Sequence, residues 1–155
     1  MLSVKKCLTD IANYFRKIER NIAYVSAVDS FIGTTSYKII SFKSGYYGVV
    51  GSKLNMTSNK INIGSGVNKV LVTISWNIGT PVTGGSFVYF DIRKNETSIY
   101  RASDWVVSGT IRTSSVTREF DVTGGDYFDF YFKASTDGKM RLDLFSIVVE
   151  AIDVA

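Results

Sequence analysis

Apolar residues near the start of the chain fall at Val4, Leu8, Ile11, Phe15, Ile18, Ile22 and Val25. Steps of four and three alternate without a break, the heptad pattern of a helix with one narrow apolar seam. The positions between are mostly Lys, Arg, Asp, Asn, Glu and Thr, which suit water, and Ser3 is available as a cap. No glycine precedes Gly33 and the single proline is Pro81, so residues 3–25 hold no helix breaker. The pattern predicts an N-terminal helix over residues 1–28. Such a helix can lie on its own domain, or it can join copies of the chain as a parallel coiled coil. Strict two-in-seven patterning favours the coiled coil, because a helix resting on a sheet shows a wider apolar stripe. Leu8, Phe15 and Ile22 then occupy a positions, with Val4, Ile11, Ile18 and Val25 at d. Branched residues at d shift the preference from two strands to three or four.

From Tyr37 onward the period drops to two. Val70, Val72, Ile74 and Trp76 alternate with Leu71, Thr73, Ser75 and Asn77; Val88, Phe90 and Ile92 alternate with Phe87, Tyr89 and Asp91; Phe128, Phe130 and Phe132 alternate with Tyr127, Asp129 and Tyr131. Each reads as a strand with one strongly apolar face and one mixed face. Further strands are predicted over 36–43, 46–51, 59–63, 97–101, 113–122 and 140–153. Turn chemistry separates them at Lys43-Ser44-Gly45, Gly64-Ser65-Gly66, Pro81 to Gly85, Gly124-Gly125 and Asp137-Gly138. Many short strands with glycine turns and no second helix predict an antiparallel sandwich or jelly roll over 36–155, joined to the helix by a linker at 29–35. Much of its outward face reads Ser, Thr, Tyr and Asn, which suits a polar subunit contact as well as water.

Composition narrows the possibilities. A chain of 155 residues can bury roughly 70% of its unfolded surface in one core without disulfides or metal. With 45% hydrophobic and 21% charged residues it reads as an ordinary folded domain. No apolar run reaches the length of a bilayer crossing, so membrane insertion is not expected. The net charge of +4 is modest and concentrates at Lys5, Lys6, Arg16, Lys17 and Arg20, without the dense basic stripe of a nucleic-acid binder. Cys7 stands alone, so no intrachain disulfide can form. The start, Met1 to Cys7, lacks the apolar stretch of a signal peptide, which predicts synthesis in the cytoplasm without classical secretion.

Histidine is absent, which removes histidine-based triads and histidine-ligated metals. Asp121, Asp126 and Asp129 bracket Thr123-Gly124-Gly125, but the spacing fits no complete calcium loop and the closing Glu is missing. An aspartate-capped hairpin corner is the expected reading. No Gly-x-Ser-x-Gly elbow occurs, and Cys7 has no base to activate it. A pair of carboxylates can hydrolyse a glycoside without histidine, though no such constellation emerges. Gly64-Ser65-Gly66 is too short for a phosphate cradle, and Asn55-Met56-Thr57 and Asn95-Glu96-Thr97 match a glycosylation triplet that is common by chance. No catalytic residue, metal ligand or cofactor is therefore expected. Tyr46, Tyr47, Tyr100 and Trp105 lie near predicted strand ends or loops, where exposed aromatic faces stack on sugars or anchor interfaces. Tyr100-Arg101 with Trp105 adds a guanidinium fork to the flat rings, and these five residues form the candidate receptor-binding set.

Four segments carry a resemblance. Ile61-Asn62-Ile63 through Gly66-Val67-Asn68-Lys69-Val70-Leu71-Val72, Phe90-Asp91-Ile92-Arg93-Lys94-Asn95, Phe120-Asp121-Val122 with Gly125-Asp126-Tyr127-Phe128, and Ile147-Val148-Val149-Glu150-Ala151-Ile152 follow one another in order. Together they resemble the C1q/TNF-like jelly-roll family, in the form found as trimeric heads on bacteriophage tail fibres and tail appendages. The resemblance implies a homotrimer with an adhesive, non-catalytic role, engaging a bacterial cell-surface saccharide or protein. It places the protein in a virion, with the N-terminal helix available to another tail or baseplate protein. Complement-type members carry Gly-X-Y stalks, and a short coiled coil stands in that place here.

Overall fold

The computed structural model describes Lys6 and residues 20–26, 28, 31–57, 59–79, 85–107, 109–136 and 140–154. Among them run β1 (Ile22–Val25), β2 (Phe31–Ile32), β3 (Lys38–Ile39), β4 (Tyr47–Val50), β5 (Leu54–Met56), β6 (Ile61–Ile63), β7 (Val67–Gly79), β8 (Ser86–Lys94), β9 (Thr97–Val106), β10 (Ile111–Asp121), β11 (Tyr127–Ala134) and β12 (Arg141–Val154). They form two antiparallel sheets. The first has the order β10-β7-β12-β1-β4, with β2 also on β12, and the second β5-β6-β11-β8-β9, with β3 on β11.

The alternating residues meet between the sheets. Val70, Val72, Ile74, Trp76 and Ile78 of β7 and Phe145, Ile147 and Val149 of β12 face Val88, Phe90 and Ile92 of β8 and Phe128, Phe130 and Phe132 of β11, all buried. Phe90 is the hub, with ring centroids 4.6 Å from Trp76, 5.1 Å from Phe132 and 5.2 Å from Phe145. Burying rings of this size supplies much of the stabilisation of the sandwich.

The β8–β9 connection is a two-residue hairpin in which Asn95 and Glu96 have φ of 52° and 67°. Both central residues of such a turn need positive φ, and asparagine tolerates it better than glutamate. Asn95 adds three bonds: its Oδ1 accepts from Tyr127 N at 3.0 Å, its Nδ2 donates to Asp126 Oδ1 at 2.6 Å, and its backbone N donates to Tyr127 O at 3.0 Å.

Three expectations change. Ile22 and Val25, placed on the helix seam by the heptad, belong to β1 and point to opposite faces of the first sheet. A strand bonded on both sides, to β12 and β4, satisfies the backbone of four consecutive apolar residues better than a solvated last helical turn. Asn21 fixes the entry, its Oδ1 accepting from Ser52 N at 3.0 Å and Lys53 N at 2.9 Å. The sheet region therefore starts at residue 22, with β2 inside the expected linker. Val4, Leu8, Ile11, Phe15 and Ile18, and Cys7, lie outside the described residues. Finally, the corner at Gly124-Gly125 joins strands of different sheets, so it is a crossover and not a hairpin.

Candidate binding surface

The outward face of the second sheet is built from the mixed positions of β8, β9 and β11. Their registers bring Tyr131 opposite Asp91 and Asp91 opposite Arg101, Lys133 opposite Tyr89, and Phe87 opposite Trp105. Asp91 is buried although it points outward, because neighbouring side chains close over it. Its Oδ2 lies 2.8 Å from Arg93 Nε, and its Oδ1 lies 3.4 Å from Arg101 Nε and accepts from Ser98 Oγ at 2.6 Å. Burying a carboxyl group is costly unless it is paired and hydrogen-bonded, and here it is both.

Aromatic rings fill the space between the cations. Tyr37 lies 4.7 Å from Lys133 Nζ, 5.1 Å from the Arg101 guanidinium and 5.6 Å from that of Arg93. Arg93 also covers Tyr131 at 3.9 Å, Lys133 approaches Tyr89 at 5.1 Å, and Lys60 sits 3.7 Å from the Tyr127 centroid. Contacts of this kind contribute around 0.5–1 kcal/mol each where exposed. At one end, Phe87 and Trp105 meet edge to face at 4.7 Å while staying 45% and 48% exposed. Gly85 leaves the space that the Trp105 indole occupies, since a Cβ there would collide with it.

Burial, then the Asp91 charge, push the Tyr37 hydroxyl above its ordinary value. Burial likewise raises Tyr131, helped by Asp129. Burial lowers Arg93, but its bond to Asp91 outweighs that and leaves it raised, so the guanidinium stays charged. Burial raises the Asp129 carboxyl against the pull of Lys60. Burial also acts to raise Asp126, yet bonds from Asn95, the Thr123 backbone and Lys94 prevail and hold it low.

A second feature is a groove of about 410 Å³ where the edge strands β9 and β10 meet, lined by Trp76, Tyr100, Asp104, Arg112, Ser114 and their neighbours. Asp104 spans it, accepting from Arg112 Nε at 3.1 Å and from Ser114 Oγ at 2.7 Å. These bonds latch the two sheet edges together.

The outward face of the first sheet differs in character. Across β7 and β10, Thr73 meets Thr117 at 2.9 Å, Ser75 meets Ser115 at 3.0 Å, and Lys69 meets Glu119 at 2.7 Å. Toward β12, β1 and β4 it turns apolar, with Tyr24, Val50, Val148, Ile152 and Val154 all exposed. Gly48 makes room for the Tyr24 ring, because a Cβ there would lie 2.7 Å from its hydroxyl.

The five expected binding residues do not form one patch. Tyr46 is exposed in the turn before β4 with Lys43 Nζ 5.1 Å from its ring, while Tyr47 is half-buried 6.0 Å from Phe42. Strand β4 edges the first sheet, whereas β9 edges the second at the opposite side of the sandwich. Tyr100, Arg101 and Trp105 all lie within β9 and not in a loop. Tyr100 points inward at the sandwich edge, with Arg118 at 4.8 Å, whereas Arg101 and Trp105 point outward. Sequence reasoning missed Tyr37, Phe87, Tyr89, Arg93 and Lys133; the mixed faces of two predicted strands were the available signal.

The three aspartates of the imagined calcium loop diverge. Asp126 caps the corner by accepting from Thr123 N at 2.9 Å, Asp121 is exposed 3.6 Å from Lys69, and Asp129 sits under the outer face. Among the described residues no three His, Cys, Asp or Glu side chains gather as a metal site.

Two crystal structures of murine APRIL, at pH 5.0 and pH 8.5, match this architecture with TM-scores of 0.59 and 0.57, each covering 86% of this chain and 99% of theirs. A crystal structure of pika GITRL matches with a TM-score of 0.50 over 87% of this chain and 97% of its own. The fold is a TNF/C1q-like jelly roll. Sequence identities are 10%, 9% and 13%, so the likeness is one of backbone architecture. No protein-family model matches the sequence, and no curated protein sequence does. The jelly-roll expectation is met, with β6–β7, β8, the β10–β11 crossover and β12 carrying the four resembling segments.

Proposed function

We propose that this chain is the non-catalytic, trimeric head of a phage or prophage tail protein, and that it attaches the virion to a bacterial cell-surface saccharide or protein. The observation that carries the reading is the exposed Phe87–Trp105 pair beside Arg101 on the outer sheet face. Large rings left half in water on a rigid strand are the side chains that anchor recognition. Trimer formation is supported by the apolar strip around Tyr24 and Val148 on the other sheet and by the heptads from Val4 to Ile18. The phage assignment rests on the four resembling segments, and the heptad-patterned N-terminal segment would, as a helix, also offer a dock for a neighbouring tail or baseplate protein. Three copies on one head add avidity of roughly a hundredfold or more over a single contact.

The test is binding of the labelled full chain to a panel of bacterial strains with different surface polysaccharides. Adsorption to at least one strain, lost in Trp105→Ala, is the expected result. Adsorption to none favours a purely architectural virion protein, and adsorption by a monomer favours a carbohydrate-binding module.

A further inference from the structure

Rings and cations on the outer face of the second sheet form one continuous run. Trp105 touches Phe87 at 4.7 Å, Phe87 lies 6.3 Å from Tyr89, and Lys133 sits between Tyr89 at 5.1 Å and Tyr37 at 4.7 Å. Arg101 and Arg93 close the run on the far side of Tyr37. Three cations thus surround one ring, and one carboxylate, Asp91, faces them.

That carboxylate is spent in a particular way. Both arginines reach it through Nε, at 2.8 Å and 3.4 Å. Their terminal nitrogens make no hydrogen bond among the described residues, and Lys133 has no acidic partner there. An arginine tethered by Nε to a buried acid is held in place while its outer donors stay available for a planar anion. Other acids near the run are Asp104, which accepts from Trp105 N at 3.0 Å and is taken up by Arg112, Asp129, buried beside Tyr131, and Glu96, exposed in the β8–β9 turn toward Lys60. None of the three bonds to Lys133 or Arg101.

We propose that this face binds an acidic saccharide, a chain bearing carboxylate, sulfate or phosphate groups. Phe87, Trp105 and Tyr89 offer surface to sugar rings, while Arg101, Lys133 and Arg93 take the anionic substituents. The local surplus of two positive charges is complementary to spaced anions along a glycan. It is too small for a polyphosphate backbone, which calls for a dense basic stripe. The inference rests on the attachment reading above and deepens it by naming the ligand class.

The experiment titrates the full chain with a purified polygalacturonate oligosaccharide, a neutral malto-oligosaccharide of equal length and a single-stranded oligo-dT, by calorimetry. The acidic sugar should bind, weaken about tenfold or more as salt screens the charges, and be preferred over both others. Lys133→Gln, which leaves Asp91 fully paired, should reduce affinity severalfold with an unchanged thermal transition, and Arg101→Gln should reduce it severalfold while Arg93 still holds Asp91 and the protein stays folded. Lys69→Gln, an equal charge loss on the other sheet, should not. Equal binding of the neutral sugar, equal loss in Lys69→Gln, or tighter binding of oligo-dT overturns the proposal. If cells are bound through Trp105 but polygalacturonate is not, the ligand class fails and attachment stands. If polygalacturonate is bound but cells are not, attachment fails and the saccharide site stands.

Discussion

Phe87 and Trp105 face one another across β8 and β9, their ring planes at 61° and their centroids 4.7 Å apart, with nearly half of each still exposed. An edge-to-face pair gains around 0.5–1.5 kcal/mol beyond burial, which is enough to orient both rings without submerging them. Most other large aromatics of β8 and β11 are buried or half-buried.

Trp105→Ala is therefore expected to lower unfolding stability by about 1 kcal/mol, since it removes this pair and the contact with Gly85 but opens no core cavity. Urea denaturation reads the cost, and adsorption to bound cells should fall at least about tenfold in the same variant. A collapse of the fold would show that the indole serves as core.

Two aspartates give opposite pH signatures. Burial raises Asp129 above its ordinary 3.8, so its contribution to stability is present in full below that pH and is lost as pH rises through the raised folded value. Bonds hold Asp126 below 3.8, so its contribution is present above that pH and is lost as pH falls through the lowered folded value. Asp129→Asn should raise the melting temperature at neutral pH, with the gain fading in acid. Asp126→Asn should lower it at neutral pH, with the deficit fading in acid. Melting curves from about pH 3 to about pH 8 test both signs.

Glu96 holds φ at 67° in the β8–β9 turn, where an L side chain is strained. Glu96→Gly should stabilise the protein by roughly 0.5–1 kcal/mol, the relief of strain exceeding the entropy glycine adds to the unfolded chain. An unchanged or lowered urea midpoint would show that this turn carries no strain.

Much of the fold was legible because half-buried strands write their faces into the sequence. Val70 to Trp76, Val88 to Ile92 and Phe128 to Phe132 alternate as the sheets require, and the glycine turns mark their ends. β1 was not legible: Ile22 and Val25 continue a heptad, and only pairing with the distant Glu150–Ile147 and Val50–Tyr47 segments makes them strand. β5 is three residues long and too short to show a period. The binding face was hidden for another reason. Tyr37, the Arg93–Arg101 hairpin and Lys133 come from three separated segments, and only the registers of β3, β8, β9 and β11 bring them around one buried carboxylate. Tyr100 and Arg101, adjacent in sequence, part to opposite faces because a strand alternates.

The exposed apolar strip of the first sheet should be the contact between copies. Val148 and Tyr24 pair across β12 and β1 at its centre. Val148→Glu would bury a charge without a partner in such a contact and should dissociate the assembly, while leaving the circular dichroism spectrum of the head unchanged. An intact assembly in this variant would place the contact elsewhere.

Trimerisation underlies both the avidity and the attachment reading, and sedimentation equilibrium of the full chain at micromolar concentration tests it most directly. With a 17.2 kDa chain, the account predicts one species of about 52 kDa. A single species at the mass of one chain would contradict it.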